Sequence, residues 1–488
     1  MISLRTVPAF LFFLLTSVIS LRPAEASAAE TYRSPFPPVL QATASDTTYL
    51  TLAEFIRTGL AVSGQTRMDR AGVDLALNRV DQARAQRILP RFNLQTQHGL
   101  IPGVTSDSLL PSGSPLPEGQ FYLDPYLTND WTDWSVFTRA QIEAVQPLYT
   151  WGGIPNAIQA AESAARAAQY EFETRNRATE RTLHELWNGY LLATEIERIL
   201  ADATDQVDRV QRQLDRIREE GEGDLSESDL FKFDIYLAEF EAQRRRAQAA
   251  GRQVQRIWDY VTRELPGVAL PADPYLEPAP MALEPFETYL EAALLRRPEL
   301  KGADAAEQAV SSALRAMQAE AYPNLFLALS ASVAVTPNRP KQDNPFIINN
   351  TNYASARFGI GIRQNLNFLA LDASLEKGRI DYRRTQDLRA ALEDAIFLGL
   401  NEAYLSAEAA AAELESAQQA LSTSKNWVRH EQLNYDYGFG DVKELVESMR
   451  TELELRVDVA RAVHDWNLRR SELLLESGMT VTELAENL

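Results

Sequence analysis

The chain has 488 residues and a formal net charge of −20, from 48 Lys and Arg against 68 Asp and Glu. That balance argues against nucleic acid or anionic lipid headgroups as the main partner. With 45% hydrophobic and 24% charged residues, global disorder is excluded. The absence of cysteine excludes disulfides, thiolate metal sites and a lipid anchor on an N-terminal Cys.

Residues 1–28 read as a secretory signal peptide. Arg5 supplies a basic start, Val7 to Ser20 an apolar run, and Ala24-Glu25-Ala26 or Ala26-Ser27-Ala28 a small-x-small cleavage site. An N-terminal extension, 29–48, follows. No later apolar stretch reaches about 18 residues, so no spanning helix is expected beyond the signal. An exported chain of this kind is either soluble in the periplasm or built into the outer membrane as β-strands, whose alternating signal hydropathy alone does not resolve.

A first structural repeat is expected over 49–264: a helix, strands at about 91–101 and 133–146, then a long helical hairpin with its tip near 221–224. From about Ile154 to Glu220 there is no internal Pro apart from the start, and apolar or small residues recur at three- and four-residue steps (Ile158, Ala161, Ala165, Ala168, Phe172). At 1.5 Å per residue a helix of roughly 65 residues is about 100 Å long, too long for a compact domain and suited to a coiled coil. A Pro-rich linker, 265–285, leads to a second repeat over 286–479. Its strands are expected at about 324–336 and 352–366, its long helix from about Leu369 to Tyr437 and its tip near 438–441. A tail, 480–488, ends the chain.

The two repeats are legible as a tandem duplication. Leu89-Pro90-Arg91-Phe92 recurs as Tyr322-Pro323-Asn324-Leu325, 233 positions on. Gln146-Pro147-Leu148-Tyr149 recurs as Gln364-Asn365-Leu366-Asn367, 218 positions on. His184-Glu185-Leu186-Trp187 and Gly221-Glu222-Gly223-Asp224 recur as Asn401-Glu402-Ala403-Tyr404 and Gly438-Phe439-Gly440-Asp441, both 217 positions on. The offset changes between the two strand-like runs of each repeat, because the loop between them is shorter in the second copy.

The strand-like runs alternate with period two. In Trp134–Val145 one face carries Trp134, Val136, Ala140, Ile142 and Ala144, and the other Phe137, Arg139, Gln141 and Glu143. In Tyr353–Leu366 Ala354, Ala356, Phe358, Ile360 and Ile362 oppose Ser355, Arg357 and Arg363. Two readings remain open at this point: an ordinary half-buried antiparallel sheet, or strands crossing a bilayer. The segment length of about 10 residues and the aromatics near the first loop (Phe121, Tyr122, Tyr126, Trp131, Trp134) favour the second. On that reading Arg139, Glu143, Arg357 and Arg363 face a lumen, since charge is costly against lipid. Four strands do not close around a channel, whereas three copies supply twelve.

No nucleotide-binding, P-loop, nucleophile-elbow or zinc-protease motif occurs. His98, His184, His430 and His464 are scattered, with none at metal spacing, and His184 beside Trp187 reads as a packed or solvated helix residue. No enzyme activity, cofactor or metal is expected.

The signal peptide, the duplicated helix–strand–strand–helix–helix order and the rods near 100 Å together resemble the TolC-like outer-membrane efflux family (outer membrane factors). The resemblance covers about Tyr49 to Met479. It implies a mainly α fold with a small β part: long antiparallel hairpins forming an α-barrel, and four transmembrane strands per protomer in a trimeric twelve-stranded barrel. It implies a passive homotrimeric exit duct of a tripartite efflux or type I secretion system, set in outer-membrane lipid with its helices in the periplasm. A periplasmic adaptor and an inner-membrane pump are the implied partners. Gly221, Gly223, Asp224, Gly438, Gly440 and Asp441 then mark the hairpin tips. The family pattern places constriction residues at Glu444 and Glu447, with Tyr435 on the same hairpin and Ser226 and Glu227 on the first. Gly440 stands where the archetype has an Arg, a departure from the family pattern at one of the links that hold the entrance shut. The alternative is a soluble periplasmic coiled-coil scaffold or adaptor with a small non-membrane sheet.

Overall fold

The computed structural model describes residues 47–88, 91–106, 127–220, 227–264, 267–339, 350–437, 442–481 and 483. The expected signal peptide and most of the N-terminal extension lie outside them. Residues 49–488 form one compact unit, with 1–48 assigned to another; the unit 49–488 is described here.

Each repeat begins with a short helix, α1 (Leu52–Val62) or α5 (Phe286–Arg296), both 11 residues long. The start of α1 is fixed by a capping box. The Thr51 hydroxyl accepts the Glu54 N–H at 3.3 Å while the Glu54 carboxylate accepts the Thr51 N–H at 2.9 Å. Next come α2 (Gly64–Ile88) and α6 (Pro298–Ala319), the latter with Pro298 in its first turn, where a missing N–H costs nothing. The rods are α3 (Gly153–Glu220, 68 residues) with α4 (Glu227–Thr262), and α7 (Phe368–Asp436, 69 residues) with α8 (Val442–Glu476). At 1.5 Å per residue α3 and α7 are each about 100 Å long. Among the described residues no helix is long and apolar enough to cross a membrane.

Four strands separate the short helices from the rods: β1 (Arg91–Ser106), β2 (Leu127–Tyr149), β3 (Asn324–Val335) and β4 (Tyr353–Arg363). They form one antiparallel sheet in the order β1-β2-β3-β4. Strands β1 and β2 reach further than the alternation suggested, to Ser106 and back from Leu127. A register shift between Pro102 and Gly103 breaks the period-two signal, after which the ladder resumes. A short strand segment, Ala269–Pro271, lies within the Pro-rich connection. There the Ala272 N–H donates to the Leu50 carbonyl at 2.8 Å, tying the connection back to the first repeat.

Among the described residues the rods bury three apolar clusters. Ile396, Leu400, Leu414, Trp466 and Leu473 join α7 and α8 beneath α5. Ile199, Val207, Phe233, Phe240 and Leu453 join α3, α4 and α8. Phe55, Trp187, Tyr190 and Trp258 join α1, α3 and α4, with the Trp258 indole donating to the Ala269 carbonyl at 3.0 Å. The duplication reappears in this packing. Phe55 meets Trp187 with ring centroids 5.6 Å apart and planes at 57°, and the corresponding Tyr289 meets Tyr404 at 6.2 Å and 56°.

Helix α8 ends in a Schellman-type turn. Gly478, at φ 90, donates to the Leu475 carbonyl, and Met479 donates to that of Leu474. A Cβ at Gly478 would also lie 2.8 Å from the Arg296 Cβ, so glycine is required on both counts. Close by, Arg297 pairs with Glu476 at 2.7 Å and Arg181 of α3 reaches the same carboxylate at 2.9 Å, joining both repeats.

Candidate functional site

Two regions carry the sequence-predicted residues: the sheet and the hairpin ends.

In an antiparallel ladder, directly opposed residues share a face. Phe92, Ala144, Leu329 and Phe358 form one continuous row across all four strands, and Leu94, Ile142, Ala331 and Ala356 the next. These rows lie on the face that ends at β4 in Phe358, Ile360 and Ile362, which are 85%, 71% and 72% exposed. Phe92, Leu94, Leu100 and Val136 on the same face are exposed too. Among the described residues no layer covers it.

The opposite face is polar. Asn93, Glu143, Ser330 and Arg357 make one row, and Gln95, Gln141, Ser332 and Ser355 its neighbour. Arg139, Glu143, Arg357 and Arg363 therefore all stand on this face. Glu143 accepts from the Gln141 amide at 2.6 Å. The Arg139 guanidinium lies 5.7 Å from the Phe137 ring and 5.8 Å from that of Tyr353, and donates to the Asn350 carbonyl at 3.4 Å. Arg363 sits 5.1 Å from the Phe326 ring, which lies across Gly361 so closely that a Cβ there would be 2.6 Å from it. Glycine leaves room for the outer end of that aromatic ring against the neighbouring strand.

At the far end of the sheet, polar bonds hold the connection from β3 to β4. The Asn352 amide spans the Thr336 N–H and carbonyl at 2.7 and 2.9 Å. Arg339 donates twice to the Pro102 carbonyl, at 2.9 and 2.7 Å, beside the irregularity in β1. Sequence reasoning missed this cluster, because its members are ordinary loop residues brought together only by the register.

The aromatic pair Trp131 and Trp134 is exposed, with rings 5.9 Å apart. Phe121, Tyr122 and Tyr126 lie outside the described residues.

At the hairpin ends, Gly221, Gly223, Asp224, Ser226, Gly438, Gly440 and Asp441 lie outside the described residues, and so does the side chain of Glu227, which opens α4. Tyr435 is half-buried and packs against the cluster of Ile199, Val207 and Leu453. Glu444 and Glu447 stand exposed on the first turns of α8, while Leu445 and Ser448 point inward. Their carboxylates are one turn apart, and Glu444 accepts from Lys443 Nζ at 3.3 Å. Further up α8, Arg450 pairs with Glu454 at 3.1 Å and reaches across to Glu239 of α4 at 3.5 Å, linking the two hairpins. Burial pushes the nearby Tyr236 phenol up to about 12, so it stays protonated.

His184 is buried at 4% exposure against Asn188, and burial holds its imidazole down at about 4. Among the described residues no group of three or more His, Asp or Glu is placed to hold a metal ion.

Residues 289–475 match the family model described as outer membrane efflux protein. No curated protein matches the chain by sequence. Among solved structures, the fold is similar to that of CusC, described as forming a transmembrane channel, with 14% identity, 91% of this chain and 97% of that chain covered, and a TM-score of 0.67. It is also similar to the open state of the Neisseria gonorrhoeae MtrE outer membrane channel, at 14% identity, 91% and 94% coverage and a TM-score of 0.66. For the Campylobacter jejuni CmeC outer membrane channel the values are 12%, 93% and 95%, and 0.64.

Proposed function

Because residues 289–475 match the family model described as outer membrane efflux protein, we propose that the chain is the outer-membrane channel subunit of a tripartite efflux or secretion system. Three copies form a passive duct that runs from the periplasm through the outer membrane. The duct performs no covalent chemistry, and the driving energy comes from an inner-membrane pump joined to it by a periplasmic adaptor.

One observation carries this reading: the uncovered apolar face of the four-stranded sheet. At about 25 cal/mol per Å² of apolar surface, rows of exposed Phe, Leu and Ile are a large unfavourable area in water and a favourable one against hydrocarbon. The polar opposite face, with Arg139, Glu143, Arg357 and Arg363, then lines the water-filled lumen. A sheet in lipid cannot leave its two outer edges open, because each unmade backbone hydrogen bond costs several kcal/mol there. Closure by three copies, giving three times four strands, removes every edge. The long rods continue the barrel into the periplasm, and their ends meet the adaptor.

At that entrance Glu444 and Glu447 project from each of three chains as rings of carboxylates. Like charges held close around an axis attract cations and set selectivity. Tyr435, packed against the Ile199, Val207 and Leu453 cluster, shapes the constriction together with Ser226 and Glu227 of the first hairpin.

The purified protein should run as a detergent-stable trimer and open ion-conducting pores in planar bilayers. A chain that stays monomeric and soluble without detergent defeats the proposal.

A further inference from the structure

The duplication carries a consequence for how one copy meets the next. The sequence offsets are 233 positions from β1 to β3 and 218 from β2 to β4. Applied to the pair Arg91 opposite Val145, they give Asn324 opposite Arg363, which is the observed pairing of the second hairpin. The two hairpins therefore obey one register rule, and the sheet is pseudo-symmetric at the level of single residues.

Within the protomer the first hairpin joins the second through β2 and β3, with Ala140 opposite Val333 and Ile142 opposite Ala331. Among the described residues the outer edges of the sheet are β1 and β4. Both are equivalents of the joined strands, since β4 corresponds to β2 and β1 to β3. Carrying the β2–β3 register through the same offsets, we infer that β4 of one copy pairs antiparallel with β1 of a second copy of this chain, with Phe358 opposite Leu100 and Ile360 opposite His98. This rests on the trimeric reading and adds to it the contact that closes the barrel.

Three independent features fit that register. It keeps the faces continuous, because Phe358, Ile360 and Leu100 all lie on the exposed apolar face while Arg357 and Gly359 meet Ile101 and Gly99 on the other. It runs without interruption from Ala356 opposite Pro102 to Arg363 opposite Gln95, so it ends at Pro102, where β1 shifts register and a proline lacks the N–H a ladder needs. It also explains an exposed side chain at the foot of the sheet. Leu369 occupies the position equivalent to Trp151, 218 residues on; Trp151 stacks on Tyr322 of the following repeat, whereas Leu369 is 88% exposed and awaits the next copy.

The chain has no native cysteine, so engineered pairs report without background. Directly opposed residues bring their Cβ atoms to about 4.5–5.5 Å, against about 7–8 Å for diagonal neighbours, and only the former suits a disulfide. The full-length variants L100C/F358C and, on the other face, I101C/R357C should oxidise in membranes to covalent dimers and trimers at least tenfold faster than the shifted pairs L100C/I360C and H98C/F358C. The second face guards against one variant that fails to assemble. A trimer of the correct mass in which a shifted pair links faster overturns the register and leaves the channel reading intact. Absence of any trimer from the wild-type chain overturns both.

Discussion

The Trp151 indole stacks on the Tyr322 ring, centroids 5.2 Å apart and planes at 30°, and donates Nε1–H to the Pro323 carbonyl at 2.8 Å. One side chain thus ties the exit of β2 to the entry of β3, at the level where sheet gives way to rods. Its own backbone is left-handed, at φ 52, followed by Gly152 at φ 84, so the chain accepts local strain to place it. Replacing Trp151 by Ala removes the stack and the hydrogen bond, at a cost of about 1–3 kcal/mol per protomer. The temperature at which trimers dissociate in detergent should fall. Trp151→Gly should fall less than Trp151→Ala would suggest from lost contacts alone, because glycine relieves the positive φ.

The face assignment makes a sharper demand of the two faces of β4. Ile360→Lys puts a charge on the apolar face and should cost about 2–4 kcal/mol near the middle of the bilayer. Ser355→Lys, on the polar face, should be tolerated. Trimer yield from outer-membrane fractions checks this, and equal yields for the two variants would contradict the assignment.

His184 sets an acid sensitivity. Its folded pKa, about 4, lies below the ordinary value of 6.5, with burial the main cause and His464 of α8 a second. The unfolded chain therefore takes up the proton first. Stability from this residue is intact above about pH 6.5, declines as pH falls from there to about 4, and is flat below. The full effect is about 3 kcal/mol. His184→Asn, the residue that the second repeat carries at Asn401, should remove this slope. Thermal melts of both proteins between pH 7.5 and 4 test it, and parallel curves would refute it.

At the entrance, the double variant E444Q/E447Q should lower cation-over-anion selectivity of single channels and weaken block by multivalent cations. Reversal potentials under a salt gradient measure the first directly. Unchanged potentials would take both carboxylates out of the constriction.

How much of this was legible in the sequence depends on the physical signal. The duplication showed itself because register over a rod tolerates few insertions, so the offset of 217 persists from His184–Asn401 to the tip glycines. The strand faces showed because side chains along a strand point alternately to its two faces, apolar on one and polar on the other. The full reach of β1 and β2 was hidden by the irregularity at Pro102 and Gly103, which resets the period. The Trp151–Tyr322 contact and the Arg450–Glu239 link were not readable, because each joins residues far apart in sequence whose meeting depends on how hairpins pack. The role proposed for Glu444 and Glu447 came from resemblance alone, as an exposed Glu on a helix carries no local mark of a ring.

The most direct test of the central claim places a single nitroxide at each position from Ala354 to Arg363 in reconstituted protein. Collision rates with oxygen, which concentrates in lipid, and with a water-soluble nickel chelate should alternate residue by residue. Ala354, Ala356, Phe358, Ile360 and Ile362 should favour oxygen, and Ser355, Arg357, Gly359, Gly361 and Arg363 the chelate. A uniform profile, or one in which the even-numbered positions favour the chelate, would contradict a sheet that turns its apolar face to the bilayer.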